Sequence, residues 1–338
     1  MKARPSPLSS AKHTENDPFA HLPPYTPPTK GLVSHLPSAL VPFAELMRLH
    51  KPAGYYAFYF PHLFGTFIAA VLSSSVPSVS SLAYVCAIHG LGNLFLRGAA
   101  CTWNDTLDAP LDRQVGRCRH RPVARGAVSP NTAHIFTIAQ TAVWILTLSW
   151  LPRECDVPAA LFAAIMAVYP LCKRVTNFPQ VVLGFSLALG QSVGMASLGV
   201  DPFPPTSPKV RLALACVYFS NVVNAIIYDT VYAHQDLQDD LKAGVMSMAV
   251  ACAGQTKKVL SVLGMAEIAL LASTGCLLGL GAWFWGAAVG GTAIVLGWMI
   301  VTVRLEEAED CWRWFKWCIW FTGGTLCLGL LGEYAMRL

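Results

Sequence analysis

Nine apolar runs recur along this chain, at about 54–73, 81–103, 132–151, 157–172, 179–200, 210–231, 258–281, 283–303 and 314–336. A helix needs about 20 such residues to cross a bilayer, and in hydrocarbon every backbone N–H and C=O must find its partner within the segment. The runs therefore predict an all-α integral membrane bundle of about nine transmembrane helices. With 54% of its 338 residues hydrophobic and only 13% charged, the chain has no room for a separate soluble domain. Pro77, Pro130, Pro152, Pro158 and the proline cluster at 202–208 punctuate the runs. Residues 1–37 read as a disordered, Pro-rich cytosolic tail and residues 38–338 as one polytopic domain. A mitochondrial transit peptide would be Arg-rich and acid-poor, whereas this tail carries Glu15, Asp17 and repeated prolines.

The loops alternate in charge. Arg113, Arg117, Arg119, Arg121, Arg125, Lys173, Arg174, Lys242, Lys257, Lys258, Arg304, Arg313 and Lys316 fall on one side, and only Arg153, Lys209, Arg211 and Arg337 on the other. By the positive-inside rule the richer side faces the cytosol. The net charge of +5 is thus explained by topology, and nucleic-acid binding is excluded because the basic residues follow the membrane ends rather than one solvated face. The eleven cysteines lack metal-ligand spacing and read as small buried hydrophobes.

Two acidic clusters leave the bilayer on that cytosolic side. Asp105, Asp108 and Asp112 are spaced i, i+3, i+7, with Pro110 bending the turn. Asp229, Tyr232, Asp236 and Asp240 share one helical face, and Asp239 falls off it. Aligned carboxylates repel and raise one another's pKa unless something neutralises them. Mg2+ does so with one or two carboxylates, completing its octahedron with water and phosphate, and a diphosphate bridges two such ions. Arg97, Arg121 and Lys173, with Arg117 and Arg174 nearby, supply cations for the other phosphate oxygens. Arg117, Arg119 and Arg125 serve equally well as topological anchors. A diphosphate site at the water boundary above an apolar bundle suits an isoprenyl diphosphate.

The sequence resembles the UbiA-type intramembrane aromatic prenyltransferase superfamily. The similarity rests on Asn104-Asp105-x-x-Asp108-x-x-x-Asp112, on Asp229, Asp236 and Asp240 with the following Asp-Asp-x-Lys-x-Gly at 239–244, on Tyr169-Pro170-x-x-Lys173-Arg174, and on Arg121-Pro122-x-x-x-Gly126. It covers roughly residues 45–250. Asp-Ala-Pro-Leu-Asp-Arg and Arg-His-Arg-Pro-Val-Ala-Arg-Gly resemble fungal meroterpenoid-pathway members, which attach a farnesyl or related chain to a polyketide-derived phenolic acid. Pro110 departs from the charged residue that ubiquinone-pathway members tend to carry.

The resemblance implies Mg2+, two ions, with Asn104, Asp108 and Asp112 holding one and Asp236 and Asp240 the other. Asp229 and Asp105 become ligands or supports of ligands. Arg121 and Lys173, with Arg97 behind them, would hold the diphosphate while the allylic C–O bond breaks. Tyr55, Tyr56, Phe60 and Trp103 are candidate faces for the allylic cation, or interface anchors. The base is left open between a phenolate and Asp105, and Arg174 or Arg48 is the expected partner of an acceptor carboxylate. An endoplasmic-reticulum or other endomembrane location follows, with the site facing the cytosol. The alternatives are a mitochondrial 4-hydroxybenzoate polyprenyltransferase of ubiquinone synthesis and, from another class, an ion-coupled secondary transporter, whose acids would lie near the bilayer midplane.

Overall fold

The computed structural model describes Phe19 and residues 22–202 and 207–338, and among them there is no strand. The expectations for residues 1–18, 20 and 21, and for Pro204 and Pro205, lie outside the described residues. A short α1 (Val41–Leu46) precedes α2 (Ala53–Leu72) and α3 (Val79–Leu107), which is followed by the single turn of α4 (Ala109–Asp112). Next come α5 (Pro130–Leu148), α6 (Asp156–Cys172), α7 (Pro179–Ala196) and α8 (Pro208–Ala233). Two short helices, α9 (Leu237–Ala243) and α10 (Met248–Ala251), lead to α11 (Thr256–Leu278). A π-helical stretch at Phe284–Gly290 then runs into α12 (Gly291–Thr302), and α13 (Ala308–Ala335) closes the bundle.

Each of the nine expected spans coincides with a long helix among the described residues, but only seven are long and apolar enough to cross a membrane. The two others, α5 and α7, are diluted by polar residues such as Gln140, and Gln180, Ser186, Gln191 and Ser192. All five are buried against neighbouring helices. Local signals set several boundaries. Ser78 and Ser129 accept hydrogen bonds from the backbone N–H of Ser81 and Thr132, capping α3 and α5. Gly279, at φ 64°, ends α11 and separates the nearly fused seventh and eighth runs. Glu333 of α13 then accepts from the N–H groups of Gly281 (2.9 Å) and Phe284 (3.1 Å), satisfying donors at the next helix start.

Small residues let helices approach where lipid offers no hydrophobic drive. On α7, Gly190 and Gly194 face α2, and a Cβ added at Gly194 would lie 2.0 Å from the His62 carbonyl oxygen. Gly65 of α2 has the same relation to the Gln191 carbonyl, at 1.9 Å. Polar groups inside the bundle tie other helices together: the half-buried Asn224 of α8 donates to Glu267 of α11 at 3.0 Å, and Thr322 of α13 donates to Asn224 at 3.3 Å. The N-terminal ends of α2, α7 and α13 and the C-terminal ends of α3, α6 and α8 gather around one opening.

Candidate active site

Both acidic clusters lie at that opening. Helix α3 stops at Leu107, Asp108 is the hinge, and Pro110 sits in the first turn of α4, as its missing N–H allows. The bend buries Asp105, Asp108 and Asp112 together. On the other side α8 gives way to a 3₁₀ turn at His234–Asp236 before α9, yet Asp229, Tyr232, Asp236 and Asp240 still share a face. All four line one small cavity of about 100 Å³ with Asp108 and Asp112. Asp239 turns away, accepting from the Gly116 N–H at 3.0 Å, and so ties α9 to the loop after α4.

Resident cations neutralise these acids. Lys173 donates to Asp108 at 3.0 Å, Arg121 to both oxygens of Asp112 at 2.9 Å, and Arg117 to both oxygens of Asp236 at 2.8 and 2.5 Å. Arg117 also donates to the Tyr232 hydroxyl. Burial works against the charge of Lys173, but Asp108, Tyr169 and Asp112 together outweigh it and the ammonium is held above its ordinary pKa. Burial pushes Asp112 up to about 6, although Arg121 draws it down. From the sequence Arg117 reads equally well as a topological anchor; its fork on Asp236 makes it part of the site.

The donor set fits a divalent cation. It is all oxygen, as Mg2+ requires, and Asp108 Oδ1 is buried with no hydrogen-bond partner. Among the described residues no three His, Cys, Asp or Glu side chains converge into a ready cage.

The small cavity opens into a chamber of about 910 Å³, and Arg117, Arg121, Tyr169, Lys173, Asp229 and Tyr232 line both. One arm of the chamber is apolar, walled by Ala57, Phe58, Met166, Leu183 and Leu187. Phe162 lies behind Phe58, with ring centroids 5.8 Å apart. The helices contribute Phe58, Tyr169, Tyr228, Tyr232, Trp312 and Phe315 to the chamber's aromatic lining. Tyr55, Tyr56, Phe60 and Trp103 do not line it: Tyr55 donates to the Gly90 carbonyl, Tyr56 and Phe60 pack on Trp320, and Trp103 donates to the Ala167 carbonyl. The α-helical period turns those rings toward neighbouring helices instead.

Three other expectations change. Arg97 lines the chamber, but its guanidinium donates to the carbonyls of Met47, Arg48 and Lys51 (2.8–3.3 Å). It therefore shapes the turn before α2, in which Arg48 adopts a left-handed φ of 58°. Gly54 makes room for it, since a Cβ there would lie 2.9 Å from the guanidinium. Arg174 lies outside the chamber, half exposed and donating to the Leu107 carbonyl at 2.8 Å, which removes it as an acceptor ligand. Asp105 is fully buried between Arg48 (2.5 Å) and Arg121 (3.3 Å), the position of a support rather than a free base. Arg48 does line the chamber, and Asn104 lines it beside Asp105.

Sequence reasoning missed His50 at the chamber wall, and Lys51, which with Pro52 reads from the sequence equally well as an interfacial residue, lines the chamber too. Burial and the nearby cations Lys51 and Arg48 push His50 down to about 4, so its imidazole is neutral. Burial and Arg117 lower Lys51 to about 8. The Lys51-Pro52-Ala53-Gly54 turn was the available signal, since Gly54 needs the close approach just described.

Residues 58–322 match the model of the UbiA prenyltransferase family. Over 321 residues the chain is 38% identical to a prenyltransferase of Acremonium egyptiacum, covering 93% of this chain and 91% of that one. It is 37% identical to the mitochondrial 4-hydroxybenzoate polyprenyltransferase of Saccharomyces cerevisiae (90% and 80% covered). It is 36% identical to a DMOA farnesyltransferase of Aspergillus novofumigatus (90% and 95% covered). Among solved structures, an apo UbiA homolog from Aeropyrum pernix superposes with a TM-score of 0.66 at 20% identity, covering 83% of this chain and 98% of that one. A UbiA homolog from Archaeoglobus fulgidus bound to GPP and Mg2+ gives 0.65 at 15% identity, covering 87% and 99%.

Proposed function

Because the chain belongs to the UbiA prenyltransferase family, we propose that it transfers a farnesyl group from its diphosphate to an aromatic carbon of a polyketide-derived phenolic acid or related acceptor, as in meroterpenoid biosynthesis. The observation that carries this reading is the junction of an acid-lined polar cavity with a larger chamber that has an apolar arm and an aromatic lining. That shape matches one charged head and one hydrocarbon tail. The similarity to a farnesyltransferase supports the donor. The similarity to the yeast polyprenyltransferase supports the second reading, a longer chain on 4-hydroxybenzoate.

In this reading Asn104, Asp108 and Asp112 would hold one Mg2+ and Asp236 and Asp240 a second, with Asp229 as a further ligand or support. When bound, the ions neutralise the diphosphate and make it a better leaving group. Lys173, Arg121 and Arg117, which pair with Asp108, Asp112 and Asp236, would hold phosphate oxygens of the bound donor. The allylic C–O bond breaks with its electron pair leaving on diphosphate. Tyr169, Tyr228, Tyr232 and Phe315 present π faces to the positive carbon skeleton. A ring carbon of the acceptor bonds to it, and the ring proton departs to a base, for which the acceptor's own phenolate is the simplest candidate. Arg48 and Lys51, which both line the chamber, would receive an acceptor carboxylate. The polar face of the bundle would lie in the cytosol, with the protein in an endomembrane.

The test is incubation of membranes containing the protein with labelled geranyl, farnesyl and geranylgeranyl diphosphates and a panel of phenolic acids, with and without Mg2+. Farnesylated phenolic acid formed only with Mg2+ is the expected product. Exclusive use of 4-hydroxybenzoate with longer donors would establish the second reading.

A further inference from the structure

The Pro-rich segment ahead of α1 was expected to be a disordered tail, yet every residue from 22 to 30 lines the large chamber. Leu22, Tyr25 and Pro28 are the half-buried members, and the residues between them are exposed. Inward contacts at every third residue match the three-residue turn of a polyproline II strand. Pro23, Pro24, Pro27 and Pro28 stiffen such a strand and lower the entropy lost in holding it in place.

The segment is fastened at both edges. Tyr25 donates to Glu45 of α1 at 2.9 Å, Arg125 donates to the other Glu45 oxygen at 2.7 Å, and the Arg125 guanidinium lies 3.9 Å from the Tyr25 ring centroid. The Pro23 carbonyl accepts from Arg119 at 2.9 Å and lies 3.2 Å from His120 Nε2. Leu22 sits over Gly116, where an added Cβ would be 2.9 Å from its methyl. All of these partners except Glu45 belong to the loop that presents Arg117 and Arg121 to the acidic clusters. The segment lies before residues 58–322, which match the family model.

An allylic cation in an open chamber has two fates. The bond to diphosphate breaks heterolytically in both. In one, an acceptor ring carbon supplies the new electron pair and a ring proton leaves. In the other, water supplies it and loses a proton, giving the free prenol. Excluding water decides between them.

We propose that residues 22–30 form a strap, latched by Tyr25, Glu45 and Arg125, that roofs the chamber and directs the ionised prenyl donor to the aromatic acceptor instead of water. The strap rests on the prenyltransferase reading above. It must release for the acceptor to enter and close before ionisation. The strap thus supplies one wall of the acceptor site, and its sequence sets which acceptors fit.

The test uses the full-length protein purified into lipid nanodiscs, with farnesyl diphosphate, Mg2+, a phenolic acid acceptor and oxygen-18 water. Label in the prenol identifies C–O ionisation and separates it from phosphatase cleavage. The quantity read is the ratio of labelled prenol to prenylated acceptor. It should rise by about tenfold in Tyr25→Ala and in a deletion of residues 2–30, as expected on losing a hydrogen bond to a charged carboxylate. Tyr25→Phe, which keeps the ring against Arg125, should fall between. An unchanged ratio in Tyr25→Ala and Glu45→Gln, with ionisation retained, overturns the strap, and so does a parallel fall of both products in these two variants. If the unmodified protein forms neither product from any prenyl diphosphate, the prenyltransferase reading itself has failed.

Discussion

At the scale of single residues, the site is a set of acids and bases that pair with one another until a ligand rearranges them. Lys173 bound to Asp108 and Arg121 bound to Asp112 are charge-assisted contacts in a buried setting, so each partner has a specific consequence when removed. Lys173→Ala should raise the KM for the prenyl diphosphate by about tenfold or more while leaving the acceptor KM nearly unchanged. Steady-state kinetics with each substrate varied separately would check this, and a purely acceptor-side effect would misplace the lysine. Arg174→Ala, outside the chamber, should leave both constants within about twofold, in line with the small effect of most exposed substitutions. Asp112 adds a pH dependence. Burial raises its pKa to about 6, so below that value the carboxyl carries a proton where a cation would sit. The Mg2+ concentration giving half-maximal rate should therefore climb between about pH 7 and about pH 5.5, because a metal ligand must be deprotonated to bind. A Mg2+ requirement that stays flat across that window would show that Asp112 does not ligate metal.

At the scale of elements, helix ends and close helix contacts define the chamber. Met166 of α6 and Phe58 of α2 wall its apolar arm, so Met166→Ala should lengthen the arm and shift donor preference from farnesyl toward geranylgeranyl diphosphate in a competition assay. The α2–α7 contact leaves no space for a side chain at Gly194. Gly194→Leu should thus lower the thermal midpoint and the yield of folded protein, whereas overpacking of soluble cores typically costs about 1–3 kcal/mol. Much of this architecture was legible in the sequence. Apolar run length located the long helices, and the i, i+3, i+7 spacing brought Asp108 and Asp112 to one cavity with Asp229, Asp236 and Asp240. What was not legible has a common cause. Arg97 is engaged by backbone carbonyls, which every sequence possesses and none advertises. The rings that line the chamber depend on how helices rotate against each other, which left Tyr55 and Trp103 elsewhere. Residues 22–30 have the composition of a disordered tail, but proline also stiffens a strand that other elements hold.

At the scale of the whole molecule, the polar chemistry lies at one end of the bundle, and the proposed orientation puts that end in the cytosol. A fluorescent fusion should give an endoplasmic-reticulum pattern, with the site-bearing end accessible to a cytosolic protease or thiol reagent; a mitochondrial pattern would favour the 4-hydroxybenzoate reading. The two acidic clusters come from opposite halves of the bundle, α3–α4 and α8–α9, and only the folded molecule joins them. Their joint action is therefore the property on which the functional reading depends. The most direct measurement is Mg2+-dependent transfer of labelled farnesyl from its diphosphate to a phenolic acid by Asp108→Ala, Asp236→Ala and the double variant. Each single variant should lose at least about a hundredfold in rate, the scale of removing one group that stabilises developing charge. The double variant should be little worse than either single one, because the clusters act on the same leaving group. Undiminished transfer by the double variant would contradict the assignment.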